Sequence, residues 1–165
     1  MSIDGQRRHQ VDGIVLRARR LTGSHPDVRA VVVVGSYAYG CPTMESDIDI
    51  VMAINNRDAW LLDDSWARHI VGTRLELVRE QDWGPLRERR YRTESGFEVE
   101  FGLVTAQWFA TPVDPGTAKV LSDGCRIVTD AESLARDALR ALALPTTEWT
   151  TAGRTGPAEP PASQP

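Results

Sequence analysis

Apolar positions follow two rhythms along this chain, one helical and one extended. Between about Arg7 and Leu21, the residues Val11, Ile14, Val15, Ala18 and Leu21 recur at helical spacing with arginines between them. That spacing predicts an amphipathic helix, ended by Gly23 and Pro26. Val28–Gly35 is apolar on both faces, as expected of a strand covered on both sides near the middle of a sheet. A short helix beginning at Ser36 and broken near Gly40 and Pro42 leads to a second apolar strand, Asp47–Ile54. Asp58–Val71 reads as one helix carrying Trp60, Leu61, Leu62, Trp66 and Ile70, and Thr73–Val78 alternates in strand fashion. Gly84-Pro85 marks a turn before a run of arginines at 87, 89, 90 and 92, which fits a charged helix or a hairpin. Phe97–Val104 is a strand with Phe97, Val99, Phe101 and Leu103 on one face. Asp114-Pro115-Gly116 and Asp123-Gly124 read as turns, Cys125–Val128 as a short strand and Glu132–Leu144 as a helix.

Interspersed strands and helices imply an α/β or α+β domain, a mixed β-sheet with flanking helices, over residues 1–144. Beyond about Pro145 the chain is poor in apolar residues and rich in Pro, Gly, Thr and Ala, so 145–165 is expected to be a disordered tail. A length of 165 residues suits one domain with a single core. The hydrophobic content of 41% and charged content of 25% are ordinary for a soluble globular protein. No apolar run approaches the ~20 residues of a membrane span. The N-terminus lacks the apolar core of a signal peptide, so a cytoplasmic location is expected. Cys41 and Cys125 show neither metal-ligand nor redox spacing and are expected to be free thiols. A net charge of −4 argues against nucleic acid as a partner, because long polyanions are held through many Lys/Arg–phosphate contacts.

The chemistry concentrates in one stretch. An apolar strand runs into Gly35-Ser36, and Asp47-Ile48-Asp49 follows on the next strand. Alternation puts Asp47 and Asp49 on one face while Ile48 and Ile50 point into the core. Two adjacent carboxylates repel unless a cation lies between them. A hard divalent ion, Mg²⁺ or Mn²⁺, is the simplest partner, taking one or two carboxylates together with substrate phosphates. Gly35 lets a phosphate approach the backbone, and a helix starting at Ser36 offers free N–H groups to an anion. Either half alone is common as a plain turn or a solvated strand face. Their order and spacing between two apolar strands is far more specific.

Together, Val34-Gly35-Ser36 and Ser46-Asp47-Ile48-Asp49 resemble the DNA polymerase beta nucleotidyltransferase superfamily, and especially its small bacterial members, the aminoglycoside and minimal nucleotidyltransferases. The resemblance implies the polymerase beta-like fold and a third acid on a later strand. The candidates are Glu98 and Glu100, and Val99-Glu100-Phe101-Gly102-Leu103-Val104 fits the family's phrasing better, which favours Glu100. It further implies two-metal transfer of a nucleoside monophosphate, AMP from ATP, to an acceptor hydroxyl on a small molecule or a protein. Asp47, Asp49 and Glu100 would be the metal-binding and catalytic residues, with Gly35, Ser36, Ser46, Arg90 and Arg92 on the nucleoside triphosphate. The chain is short for the antibiotic-modifying enzymes, so a homodimer or a toxin partner is expected to complete the acceptor site. An antitoxin-like module that holds or modifies a partner toxin is the alternative.

Overall fold

In the computed structural model, which describes residues 2–72 and 74–151, the two motif strands lie side by side. Strand β1 (Val28–Val34) and strand β2 (Ile48–Ile54) pair antiparallel, with Val34 opposite Asp49. Between them the four-residue helix α2 (Ser36–Tyr39) reverses the chain. The remaining strands are β3 (Leu75–Asp82), β4 (Arg87–Thr93), β5 (Glu98–Val104) and β6 (Cys125–Thr129), and the six form one sheet ordered β3-β4-β5-β2-β1-β6. The β2–β5 pair is parallel and every other neighbouring pair is antiparallel, so the sheet is mixed.

Alternation sorts the strand residues onto two faces. Ile48, Ile50 and Met52 of β2 join Val99, Phe101 and Leu103 of β5 beneath helix α1 (Gly5–Ser24) and helix α4 (Ser65–Val71). On the other face Val32, Val51, Ala53 and Val104 pack against Trp108 and Phe109 of a 3-10 turn, Ala106–Phe109, and against helices α5 (Pro115–Ser122) and α6 (Leu134–Ala141). Asp49 and Glu100 share this second face with Val51 and Val104, two and four residues further along their strands. No helix among the described residues is long and apolar enough to cross a membrane. Cys41 and Cys125 are both free thiols.

Several elements differ from the sequence expectation. The helix expected over 58–71 is two helices, α3 (Arg57–Leu62) and α4. The Asp63 carboxylate accepts from the Ser65 N–H at 2.9 Å and from its hydroxyl at 3.2 Å. Such local side-chain bonds compete with the helical ladder and restart it. The arginine run is the β4 strand of a hairpin, with Gly84 in its turn at φ +76°. Opposite charges across the strands suit that pairing, since Arg89 faces Glu80, Arg90 faces Glu100 and Arg92 faces Glu98. Asp114-Pro115-Gly116 is a helix start rather than a turn. Asp114 accepts from the N–H groups of Gly116 and Thr117, and Pro115 takes the first helical position.

The folded chain also runs past residue 144. Ile127 donates its N–H to Thr147 O, and Trp149 donates to Ile127 O, both at 2.8 Å, which lays this segment along the outer edge of β6. Trp149 packs against the core. One anchoring tryptophan outweighs a tail-like composition, which averages over it. Residues 152–165 of the expected tail lie outside the described residues.

Candidate active site

The site grows from one rung across four strands. Val34 of β1 stands opposite Asp49 of β2, Asp49 beside Glu100 of β5, and Glu100 opposite Arg90 of β4. Asp47, just before β2, joins them, and one carboxylate oxygen from each of Asp47, Asp49 and Glu100 lies within 4.8 Å of the others. All three side chains are half-buried. Burial and the nearby charges of Asp47 and Glu100 push the Asp49 carboxyl up to about 8. Burial also raises the Glu100 carboxyl, against the pull of Arg90. Three acids held this way favour a cation among them. Oxygen-only donors in this number suit a hard divalent ion such as Mg²⁺.

The chain brings two cations of its own to these acids, Arg90 and Arg79. Arg90 Nη2 lies 3.0 Å from Asp47 Oδ2 and in close contact with Glu100 Oε2, while Nη1 donates to Glu98 Oε2 at 3.2 Å. Burial alone would lower the guanidinium's pKa, yet Glu100 and Asp47 hold it above its ordinary value. Arg79 Nη2 stands 3.8 Å from Glu100 Oε2, and Arg79 Nε donates to Glu88 at 2.5 Å. Glu88 is only 3% exposed. Its burial would raise its pKa, but the hydrogen bonds from Arg79 and Trp83 hold it below the ordinary value.

Gly35 closes the other side. Its φ is +69°, and a Cβ there would collide with the Asp49 carboxylate, so only glycine lets that acid lie against the backbone. The Gly35 carbonyl accepts from the Ala38 and Tyr39 N–H groups at 3.0 and 2.9 Å, which winds the chain into α2. The N–H groups of Ser36 and Tyr37 begin that turn with no intrahelical partner. Ser46 serves the loop ahead of Asp47, where its hydroxyl accepts from the Thr43 N–H at 2.9 Å. Arg92 donates to Glu98 at 2.9 Å at the exposed rim.

A cleft of about 650 Å³ brings the pieces together. Gly35, Asp47, Asp49, Arg90 and Glu100 line it; Ser36, Ser46, Arg92 and Glu98 do not. Sequence reasoning missed several of its other walls, among them Arg79, Trp83 and Glu88 from the hairpin, and it read Asp114, the cap of α5, as a turn. A strand assignment for 87–93 would have shown Glu88 and Arg90 sharing a face, and the Asp-Pro pair announces α5. Tyr37 is buried and Tyr39 is 71% exposed, and neither lines the cleft.

A family model described as "Nucleotidyltransferase domain" matches residues 15–122, well over half of the chain. Among solved structures, the chain is similar to an aminoglycoside 6-adenyltransferase from Bacillus subtilis, with 16% identity over 61% of this chain and 35% of that one and a TM-score of 0.44. It is also similar to the Cid1 poly(U) polymerase with Mg and 3'-dATP bound, with 17% identity over 62% of this chain and 32% of that one and a TM-score of 0.46. The chain thus spans about a third of the length of the solved structures it matches. No curated protein matches it.

Proposed function

The chain belongs to the nucleotidyltransferase domain family, and from that premise we propose that it moves a nucleoside monophosphate, AMP from ATP, onto an acceptor hydroxyl with the help of Mg²⁺ or Mn²⁺. One observation carries the reading: Asp47, Asp49 and Glu100 gather beside a glycine whose backbone the Asp49 carboxylate touches. Asp47, Asp49 and Glu100 are the residues that would hold the metal. An ion held there would neutralise phosphate charge and make the acceptor hydroxyl more acidic.

The chain's own groups do the rest. The close approach that Gly35 allows seats the leaving phosphates beside the acids. Glu100 accepts the hydroxyl proton. Arg90 exchanges its carboxylate partners for phosphate oxygens, where a planar fork of donors suits a phosphoryl group. Positioning and charge stabilisation then supply most of the rate, as in phosphoryl transfer generally.

The test is to incubate the full chain with Mg²⁺ and each α-labelled nucleoside triphosphate, alone and with hydroxyl acceptors of small-molecule, protein and RNA type, beside Asp49→Ala. Label transfer from ATP that Asp49→Ala abolishes is the expected result. Absence of both transfer and metal-dependent nucleotide binding would sink the proposal.

A further inference from the structure

We propose that the acceptor enters from the β3–β4 side of the acids and is a small hydroxyl compound carrying a flat ring that stacks on Trp83. This rests on the nucleotidyl-transfer reading above. In such a transfer the attacking and leaving oxygens lie in line, on opposite sides of the phosphorus. The strand order β1-β2-β5-β4-β3 puts Gly35 at one side of Asp49 and Glu100, and the hairpin of Trp83 at the other. With the leaving phosphates seated at Gly35, the acceptor oxygen arrives from the hairpin side. The acceptor oxygen bonds to the α-phosphorus as the bond from that phosphorus to pyrophosphate breaks. The hydroxyl proton leaves through Glu100.

The hairpin side is built for a ring. Trp83 lines the cleft and is 57% exposed, in contrast to the buried Trp66 and Trp108. Its orientation is held, because the indole Nε1 donates to Glu88 Oε2 at 2.8 Å and Glu88 is itself held by Arg79. Leu86 seats on Gly102, where an added Cβ would meet Leu86 Cδ1 at 2.9 Å, and both line the cleft with Trp83. Gly102 lies two residues along β5 from Glu100, which is about 7 Å on an extended strand. The cleft's roughly 650 Å³ falls in the range of small-molecule sites.

The test uses the full chain with Mg²⁺ and α,β-methylene-ATP, probed with phenyl β-D-glucoside and methyl β-D-glucoside by ligand-observed NMR titration. Trp83→Ala and Trp83→Phe are compared with the wild type, with nucleotide affinity measured in parallel. The expected result is selective binding of the phenyl glycoside. Trp83→Ala should weaken it at least about fivefold, the loss of one stacking contact, and Trp83→Phe should largely restore it. Nucleotide affinity should not change. Equal binding of the two glycosides, no binding of either, or no effect of Trp83→Ala would overturn the proposal. So would a loss confined to nucleotide affinity, which would make the ring the nucleobase instead. Failure of the wild type to bind Mg²⁺ with the ATP analogue would instead defeat the nucleotidyl-transfer reading itself.

Discussion

Removing the Arg90 guanidinium should destabilise the metal-free protein, and adding Mg²⁺ should return most of the loss. In the absence of metal, Arg90 is the cation that spans Asp47, Glu98 and Glu100, with its nitrogens 3.0 Å from Asp47 and 3.2 Å from Glu98. A pair of unit charges at about 4 Å interacts by roughly 1 kcal/mol in water and about 4 kcal/mol at an effective dielectric near 20. The Asp47, Glu98 and Glu100 side chains are 28%, 26% and 21% exposed, so solvent screens them in part. Exposed pairs measure at most about 1 kcal/mol, whereas removing one partner of a fully buried pair costs about 3–5 kcal/mol. Arg90→Met should fall between these limits, near about 2 kcal/mol. In a chain of this size about 1 kcal/mol moves Tm by roughly 2–4 °C, so the melt in EDTA should drop by about 4–8 °C. Saturating Mg²⁺ replaces the lost charge and should at least halve that drop, while Arg90→Lys should lie between wild type and Arg90→Met. Electron paramagnetic resonance of Mn²⁺ gives an independent readout: without nucleotide, Arg90→Met should bind Mn²⁺ more tightly, because no guanidinium competes. An equal drop with and without metal, or none in EDTA, would refute Arg90 as the site's internal counter-ion.

Three further outcomes are expected. Glu100→Gln should lower label transfer by about 100-fold or more, while Glu98→Gln largely spares it; the reverse order would move the third acid to the rim. Gly35→Ala should cost about 1–3 kcal/mol in urea melts, since alanine resists a φ of +69° and its Cβ meets the Asp49 carboxylate, and it should also weaken transfer. The third concerns pH. Asp49 titrates near 8 in the folded chain against an ordinary value of 3.8. Between those values the folded state holds a proton that the unfolded state has released, so the metal-free protein loses stability as pH rises from about 4 to about 8. The slope from this group is at most about 1.4 kcal/mol per pH unit. Metal-free melts from pH 5 to pH 8 should show it, and Asp49→Asn should flatten it; an unchanged slope in that variant would assign the effect elsewhere.

How much of this was legible from residues alone follows from what each pattern encodes. Period-two alternation and apolar runs are local, and they located β1, β2 and β5 to within a residue or two of their ends. The same alternation put Asp47 and Asp49 on one face before any pairing was known. The breaks were harder, because each turns on a single side chain. Asp63 restarts a helix, Asp114 starts another, and Trp149 anchors a segment whose composition reads as a tail.

Pairing between distant strands is the part that no local pattern carries. Asp49 and Glu100 are neighbours only because β2 and β5 run parallel, and that choice depends on how the whole apolar face packs beneath α1 and α4. The arginine run shows the consequence most clearly. Read along the chain, residues 87, 89, 90 and 92 form one basic patch suited to phosphate. Folded as β4, the run is divided between the two faces of the strand. Arg89 turns to Glu80 and the Leu61 carbonyl, while Arg90 alone of the four reaches Asp47 and Glu100. A charge that read along the chain as either a phosphate ligand or a solvated surface group thus first answers a problem internal to the fold, the repulsion among acids that the parallel pairing creates. That is why the metal response of Arg90→Met separates the two roles. A residue that only bound phosphate would leave the metal-free protein as stable as before.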